Sequence, residues 1–177
     1  VDQSDQFCLR RLVAIKKALN DIPEAISALN KYLKIYMADS LAYSELADLY
    51  LTICDYKKAA FCVEELILID PNNPMYFCKY ADIMYTLDDF KTARKYYAQA
   101  INMLLDGEDA SDGSQISTMR PVYGLLVSCN ALAALNKFES TGSNTKKANT
   151  ELTALAENLL RDGYKKHQPD LLPALEH

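Results

Sequence analysis

Glycine is absent from this 177-residue chain until Gly107. That removes the Gly-rich turn that cradles nucleotide phosphates, and it commits the stretch to packed helices rather than flexible connections. Histidine is nearly absent as well. Of the two present, His177 closes Leu175-Glu176-His177, which resembles the start of a polyhistidine tag, so residues 175–177 are set aside as a tag remnant. His167 then stands alone at the end of the last predicted helix, too isolated to build a Ser-His-Asp or Cys-His arrangement. The five cysteines are an odd number and contain no Cys-x-x-Cys pair, which excludes the closely spaced ligands of a structural zinc site. They read as reduced, small apolar core residues of a cytosolic protein. No catalytic residue, metal or cofactor is expected.

Other absences concern partners. The net charge is −5 with both signs mixed along the chain, and no basic face of the kind nucleic acid requires is present. The pairs Lys57-Lys58, Lys146-Lys147 and Lys165-Lys166 fall short of the roughly four clustered basic residues that hold an anionic membrane, so they read as solvated faces. The carboxylate pairs Glu64-Glu65 and Asp88-Asp89 diverge on a helix and read as solvated surface or caps. The most apolar run, Pro121–Leu135, is broken by Ser128 and Asn130 and is shorter than the roughly 20 residues of a membrane span. No signal peptide is expected, and no membrane crossing.

What the chain does have is a period. Ala25, Ala59 and Ala93 are 34 residues apart, and the same register holds for Asp21, Asp55 and Asp89. It holds again for Ile22, Tyr56 and Phe90, for Val13, Ala47 and Ala81, and for Leu29, Val63 and Tyr97. Thirty-four residues is the tetratricopeptide repeat, a helix, a turn and a second helix. The alanine column leaves room where the two helices cross. The aspartate column caps the second helix, and the aromatic or Ile after it covers the turn. The best copy is Tyr43–Pro71, which begins YSELADLY and closes on Asp70-Pro71. Helices are expected over 6–19, 23–37, 40–53, 56–69, 74–86 and 90–105.

The expected fold is all-α: a tetratricopeptide-repeat superhelix of three regular pairs (6–39, 40–73 and 74–106) with a degenerate C-terminal pair. The acidic stretch 106–118, rich in Gly and Ser, reads as a loop. The degenerate pair occupies 119–174, with a helix over 121–138, a polar loop over 139–144 and a final amphipathic helix over 146–166. An array needs such an atypical last unit to cover the apolar face left open by its neighbour. The first helix, with Phe7, Leu9 and Leu12, has no such cover, which suggests a piece of a longer superhelix.

In such arrays the first helix of each pair lines the concave side, where partner segments lie. The candidate contact residues are Arg10 and Lys17 (with Ala14 between them), then Ser44, Asp48 and Leu51, then Cys78, Asp82 and Tyr85. Tyr85 is the expected anchor, a large contact surface with a polar tip. A carboxylate clamp of the co-chaperone type is excluded. Its positions are held here by Arg10, Ala14, Glu45, Met75 and Lys79, with two asparagines missing and Glu45 repelling a carboxylate.

The match is more specific than the generic repeat. Tyr43–Tyr50 (YSELADLY), Asp55–Leu66 (DYKKAAFCVEEL), Ala93–Ala100 (ARKYYAQA) and Glu24–Leu33 (EAISALNKYL) resemble the subunit 2 family of the endoplasmic reticulum membrane protein complex. Thr145-Lys146-Lys147-Ala148-Asn149 is similar to a Thr-Lys-Lys-x-Asn stretch after that family's last repeats. The resemblance covers most of residues 8–165 and corresponds to the C-terminal part of that subunit. Tyr43 stands where that family usually has Trp, and the acidic loop is longer. The resemblance implies a non-enzymatic scaffold, cytoplasmic and peripheral to the endoplasmic reticulum membrane. Its implied partners are cytosolic segments of the membrane-embedded subunits and a further soluble subunit, in a complex that inserts tail-anchored and multispanning proteins. The repeat alone supports a second reading, a free adaptor that binds short peptides in its concave groove.

Overall fold

The computed structural model describes residues 6–106, 114–135 and 143–167. Among these there are eight α-helices and no strand: α1 (Gln6–Ala18), α2 (Ile22–Leu33), α3 (Ser40–Thr52), α4 (Tyr56–Ile69), α5 (Pro74–Thr86), α6 (Phe90–Asp106), α7 (Ser114–Leu135) and α8 (Ser143–His167). The expected loop residues 107–113, the stretch 136–142 and the tail after His167 lie outside the described residues. The chain divides into two compact units, Val1–Pro71 with α1 to α4 and Asn72–His177 with α5 to α8.

Three of the turns between helices are the same turn. The N–H of Asp21 donates to the Lys16 carbonyl, that of Asp55 to Tyr50 and that of Asp89 to Met84, at 3.0, 2.9 and 3.0 Å. The residue before each aspartate has a left-handed backbone: Asn20 at φ 57°, Cys54 at φ 58° and Asp88 at φ 62°. These are the paired bonds of a Schellman end, repeated every 34 residues. Each aspartate then begins the next helix. Its carboxylate accepts from the N–H of Glu24, Lys58 or Thr92, at 3.4, 3.3 and 3.1 Å. One residue thus ends a helix with its backbone and starts another with its side chain.

The alanine column behaves as its size demands. Ala25, Ala59 and Ala93 are fully enclosed, as are Ala47 and Ala81 on the facing helices. In the first unit α1 packs on α2, α2 on α3 and α3 on α4. In the second, α7 packs against both α5 and α6, and α8 packs against α7. The second unit's core joins Tyr97 and Ile101 of α6 to Val122, Leu125 and Cys129 of α7 and to Ala156 and Leu160 of α8.

Three expectations are corrected. Helix α2 ends at Leu33, and the N–H groups of Ile35 and Tyr36 fold back onto the Tyr32 carbonyl, so the chain leaves the helix before Met37. Helix α6 includes Asp106 and helix α7 begins at Ser114, so both ends of the expected loop 106–118 are helical, and α7 runs through Pro121 instead of starting there. A proline in a helix interior forfeits a backbone bond, and here its ring is fully buried in exchange. Cys62, Cys78 and Cys129 are buried as expected, but Cys8 and Cys54 are exposed.

Candidate functional site

In the first unit the capping chemistry of α3 fixes a charged cluster. Asp39 caps α3 by accepting from the Ala42 N–H at 3.1 Å. The same carboxylate accepts from the Tyr32 hydroxyl at 2.6 Å, and that hydroxyl accepts from Gln6 at 2.9 Å. Burial raises the Asp39 carboxyl, but the Tyr32 hydroxyl and the Ala42 N–H outweigh it and hold the group below its ordinary range. The Tyr32 ring, stacked on Tyr36, supports the Arg10 guanidinium 5.5 Å from its centroid.

Arg10 and Lys17, two turns apart on α1, are brought together by Glu45 of α3. Arg10 Nη1 lies 3.4 Å from one carboxylate oxygen and Lys17 Nζ 3.9 Å from the other. From sequence alone Glu45 is legible only as a group that would repel a ligand carboxylate. Its positive role, holding two cations of a neighbouring helix, needed the α1–α3 distance. Of the remaining candidates here, Asp48 is exposed and Ser44 and Leu51 are half-buried.

The second unit treats its candidates differently, because α7 packs on α5. Cys78 is 1% exposed and offers no contact surface, contrary to its expected place on an exposed face. Burial, with the negative Asp82 nearby, pushes its thiol up to about 11, so it stays protonated and inert near neutrality. Asp82 accepts hydrogen bonds from the Tyr97 hydroxyl and from Arg120 of α7. Tyr85, the expected anchor, is half-buried against the core, its ring 5.0 Å from that of Phe90. Arg120 and Tyr97 were missed because nothing in a linear sequence pairs them with Asp82.

Burial and the Asp82 carboxylate both raise the Tyr97 phenol, so it acts as a donor and not as a base. Among the described residues no cluster of His, Cys, Asp and Glu could hold a metal ion. No described helix is long and apolar enough to cross a membrane. What the geometry offers is charged and polar side chains fixed on rigid helices.

A family model described as the EMC2 TPR-like repeat domain matches residues 2–100. ER membrane protein complex subunit 2 of Xenopus tropicalis is 34% identical over 167 residues, covering 93% of this chain and 52% of its own length. The subunit of the same name from Dictyostelium discoideum is 30% identical over 167 residues, covering 93% of this chain and 50% of its own. The chain thus spans about half the length of these curated relatives. Among solved structures, the Sgt2 TPR domain from Aspergillus fumigatus superimposes with a TM-score of 0.55 at 19% identity, over 80% of this chain and 86% of that one, a likeness of fold alone. The repeat register, the all-helical architecture and the subunit 2 relatives agree, and the chain belongs to the family of ER membrane protein complex subunit 2, with a tetratricopeptide-type fold.

Proposed function

We propose that this chain is the tetratricopeptide part of a non-enzymatic scaffold subunit of the endoplasmic reticulum membrane protein complex. It works on the cytosolic side, peripheral to the membrane, and organises other subunits for insertion of tail-anchored and multispanning proteins. The observation that carries the reading is the 34% identity to subunit 2 across 93% of the chain. Its partners are cytosolic segments of membrane-embedded subunits and a further soluble subunit. Contact falls on the first helix of each pair: Arg10, Lys17, Ser44, Asp48 and Leu51 in one unit, Asp82 and Tyr85 in the other. Cys78 supports that surface from beneath.

Rigid helices suit this task, since side chains already held in place lose little freedom on binding. The test is co-purification of the full-length protein carrying Asp48→Arg with Leu51→Glu. Recovery of the membrane-embedded subunits should fall by at least about tenfold, as for central contacts of an interface. Unchanged recovery would remove this face from the account. If the wild-type protein instead stays free of those subunits and binds isolated short peptides, the free-adaptor reading takes its place.

A further inference from the structure

The first unit carries a groove that the proposed scaffold surface does not use. Its walls come from α2, α3 and α4, and on α3 it uses Tyr43, Leu46 and Tyr50 rather than the proposed contacts Ser44, Asp48 and Leu51. Its volume is about 710 Å³, and its apolar lining includes Leu33, Met37, Tyr43, Leu46, Tyr50 and Phe61. A space of this size takes several large side chains.

Two of these residues are presented outward: Phe61 is 57% exposed and Met37 71%. The repeat itself shows that Phe61 is not a core position. Counting 34 residues back gives Ser27 and 34 forward gives Lys95, both exposed and both polar. At a column that is otherwise solvated, this copy alone places a phenylalanine beside a cleft. Large apolar groups so placed mark contact sites more often than single scattered ones do.

The charged side chains that line the cleft itself have one sign. Lys34, Lys57 and Lys58 line it and no carboxylate does, in a chain whose net charge is −5. Lys58 is held by Asp55 at 2.8 Å and lies 5.5 Å from the centroid of the Tyr50 ring, which fixes it at the edge of the groove. Tyr50 is steadied in turn by a bond of 3.3 Å from Asn30. The pair Lys57-Lys58, a solvated face on sequence grounds, is thus part of a cationic rim around an aromatic floor.

We propose that this groove docks an amphipathic helical segment of a partner protein, with apolar side chains seated on Phe61 and Leu46 and with Asp or Glu residues facing Lys34 and Lys57. The cleft is bounded by residues of three helices, which suits one helix with anchors at i, i+3 or i+4 and i+7 better than a flat lipid surface. The site stands independently of the scaffold reading, because it uses a different face and requires no membrane subunit.

The probe is a fluorescent designed helix with Leu at those anchor positions and Glu flanking them, titrated against the full chain. A charge-inverted version with Lys for Glu and a version with Ser for Leu serve as controls. The acidic apolar helix should bind in the micromolar range and weaken as salt is added. Phe61→Ser, which restores the residue found one repeat earlier, should weaken it by at least about tenfold while leaving the melting temperature unchanged. Lys34→Glu with Lys57→Glu should weaken the acidic helix and favour the basic one. Failure of the acidic helix to bind, or equal binding by Phe61→Ser, overturns the proposal. Vesicles of phosphatidylcholine and phosphatidylserine supply the other arm. Phe61-dependent binding to them, without binding of the helix, also overturns it and makes the groove a membrane contact.

Discussion

The Asn149 side chain of α8 donates to the Cys129 carbonyl of α7 at 2.8 Å while its oxygen accepts from Arg94 of α6 at 3.0 Å. One amide, 4% exposed, therefore ties three helices of the second unit together. It is the last residue of the Thr-Lys-Lys-Ala-Asn stretch that resembles the family, which gives that stretch a structural task. The arrangement works because an amide donates and accepts at once; a carboxylate in its place would face the carbonyl oxygen with no proton to offer.

Removing that amide leaves Arg94 without its acceptor and the buried carbonyl without its extra donor. Asn149→Ala should cost about 2–3 kcal/mol, the combined worth of one charge-assisted and one neutral bond. Asn149→Asp should recover less than half of that loss, because the carboxylate keeps the Arg94 contact but is buried against the Cys129 carbonyl oxygen, which it repels. Urea denaturation of the three proteins measures both differences.

Gly124 is needed for a close approach. A Cβ at that position would lie 2.4 Å from two carbons of the Tyr97 ring, a ring that is buried and held at its hydroxyl by Asp82. Gly124→Ala should cost about 1–2 kcal/mol net, overpacking outweighing the better helix propensity of alanine. In the background Tyr97→Leu, which restores the residue found at Leu29, the same substitution should stabilise. A double-mutant cycle on melting temperatures reads the sign change.

The left-handed turn residues are unequal in cost. Asn and Asp tolerate that backbone, so Asn20→Gly and Asp88→Gly should change stability little. Cys54 does not share that tolerance. Cys54→Gly should raise stability by about 0.5–1 kcal/mol, relief of the left-handed strain exceeding the added freedom of the unfolded chain. Cys54→Ala, which keeps the strain, should give no gain. Thermal melts of the four variants separate strain from loss of the thiol.

Acid should weaken the first unit through Asp39. Its carboxyl is held below its unfolded value of 3.8, so its contribution is present above that pH and is lost as pH falls through the lower folded value. Asp39→Asn keeps a capping acceptor but does not titrate. The variant should be less stable than wild type near neutrality, and the gap should narrow below about pH 4 as the wild-type carboxyl protonates. Urea midpoints across that range measure the narrowing.

The helices and their phase were legible because several repeat columns each keep one chemistry. Small residues fill Ala25, Ala59 and Ala93, and a cap recurs at Asp21, Asp55 and Asp89. The left-handed column was not legible, because Asn20, Cys54 and Asp88 share a backbone shape and no side-chain type. The start of α7 was hidden by Pro121, a residue that usually opens helices and here lies inside one. Among the candidate contacts, the register that placed Arg10, Ser44 and Cys78 in one column was sound as sequence. Their environments differ because Arg10 meets Glu45, whereas Cys78 lies beneath the surface of a unit in which α7 packs on α5. Burial by a later helix is a tertiary fact, and a 34-residue period carries no record of it.

The central claim is membership of a membrane-bound assembly through a rigid helical platform. It is tested most directly by affinity purification of the full-length protein from detergent-solubilised membranes, with the recovered proteins quantified by mass spectrometry. The account predicts membrane-embedded subunits of the endoplasmic reticulum membrane protein complex in near-equal amounts to the bait. A bait recovered from the soluble fraction without them would contradict it.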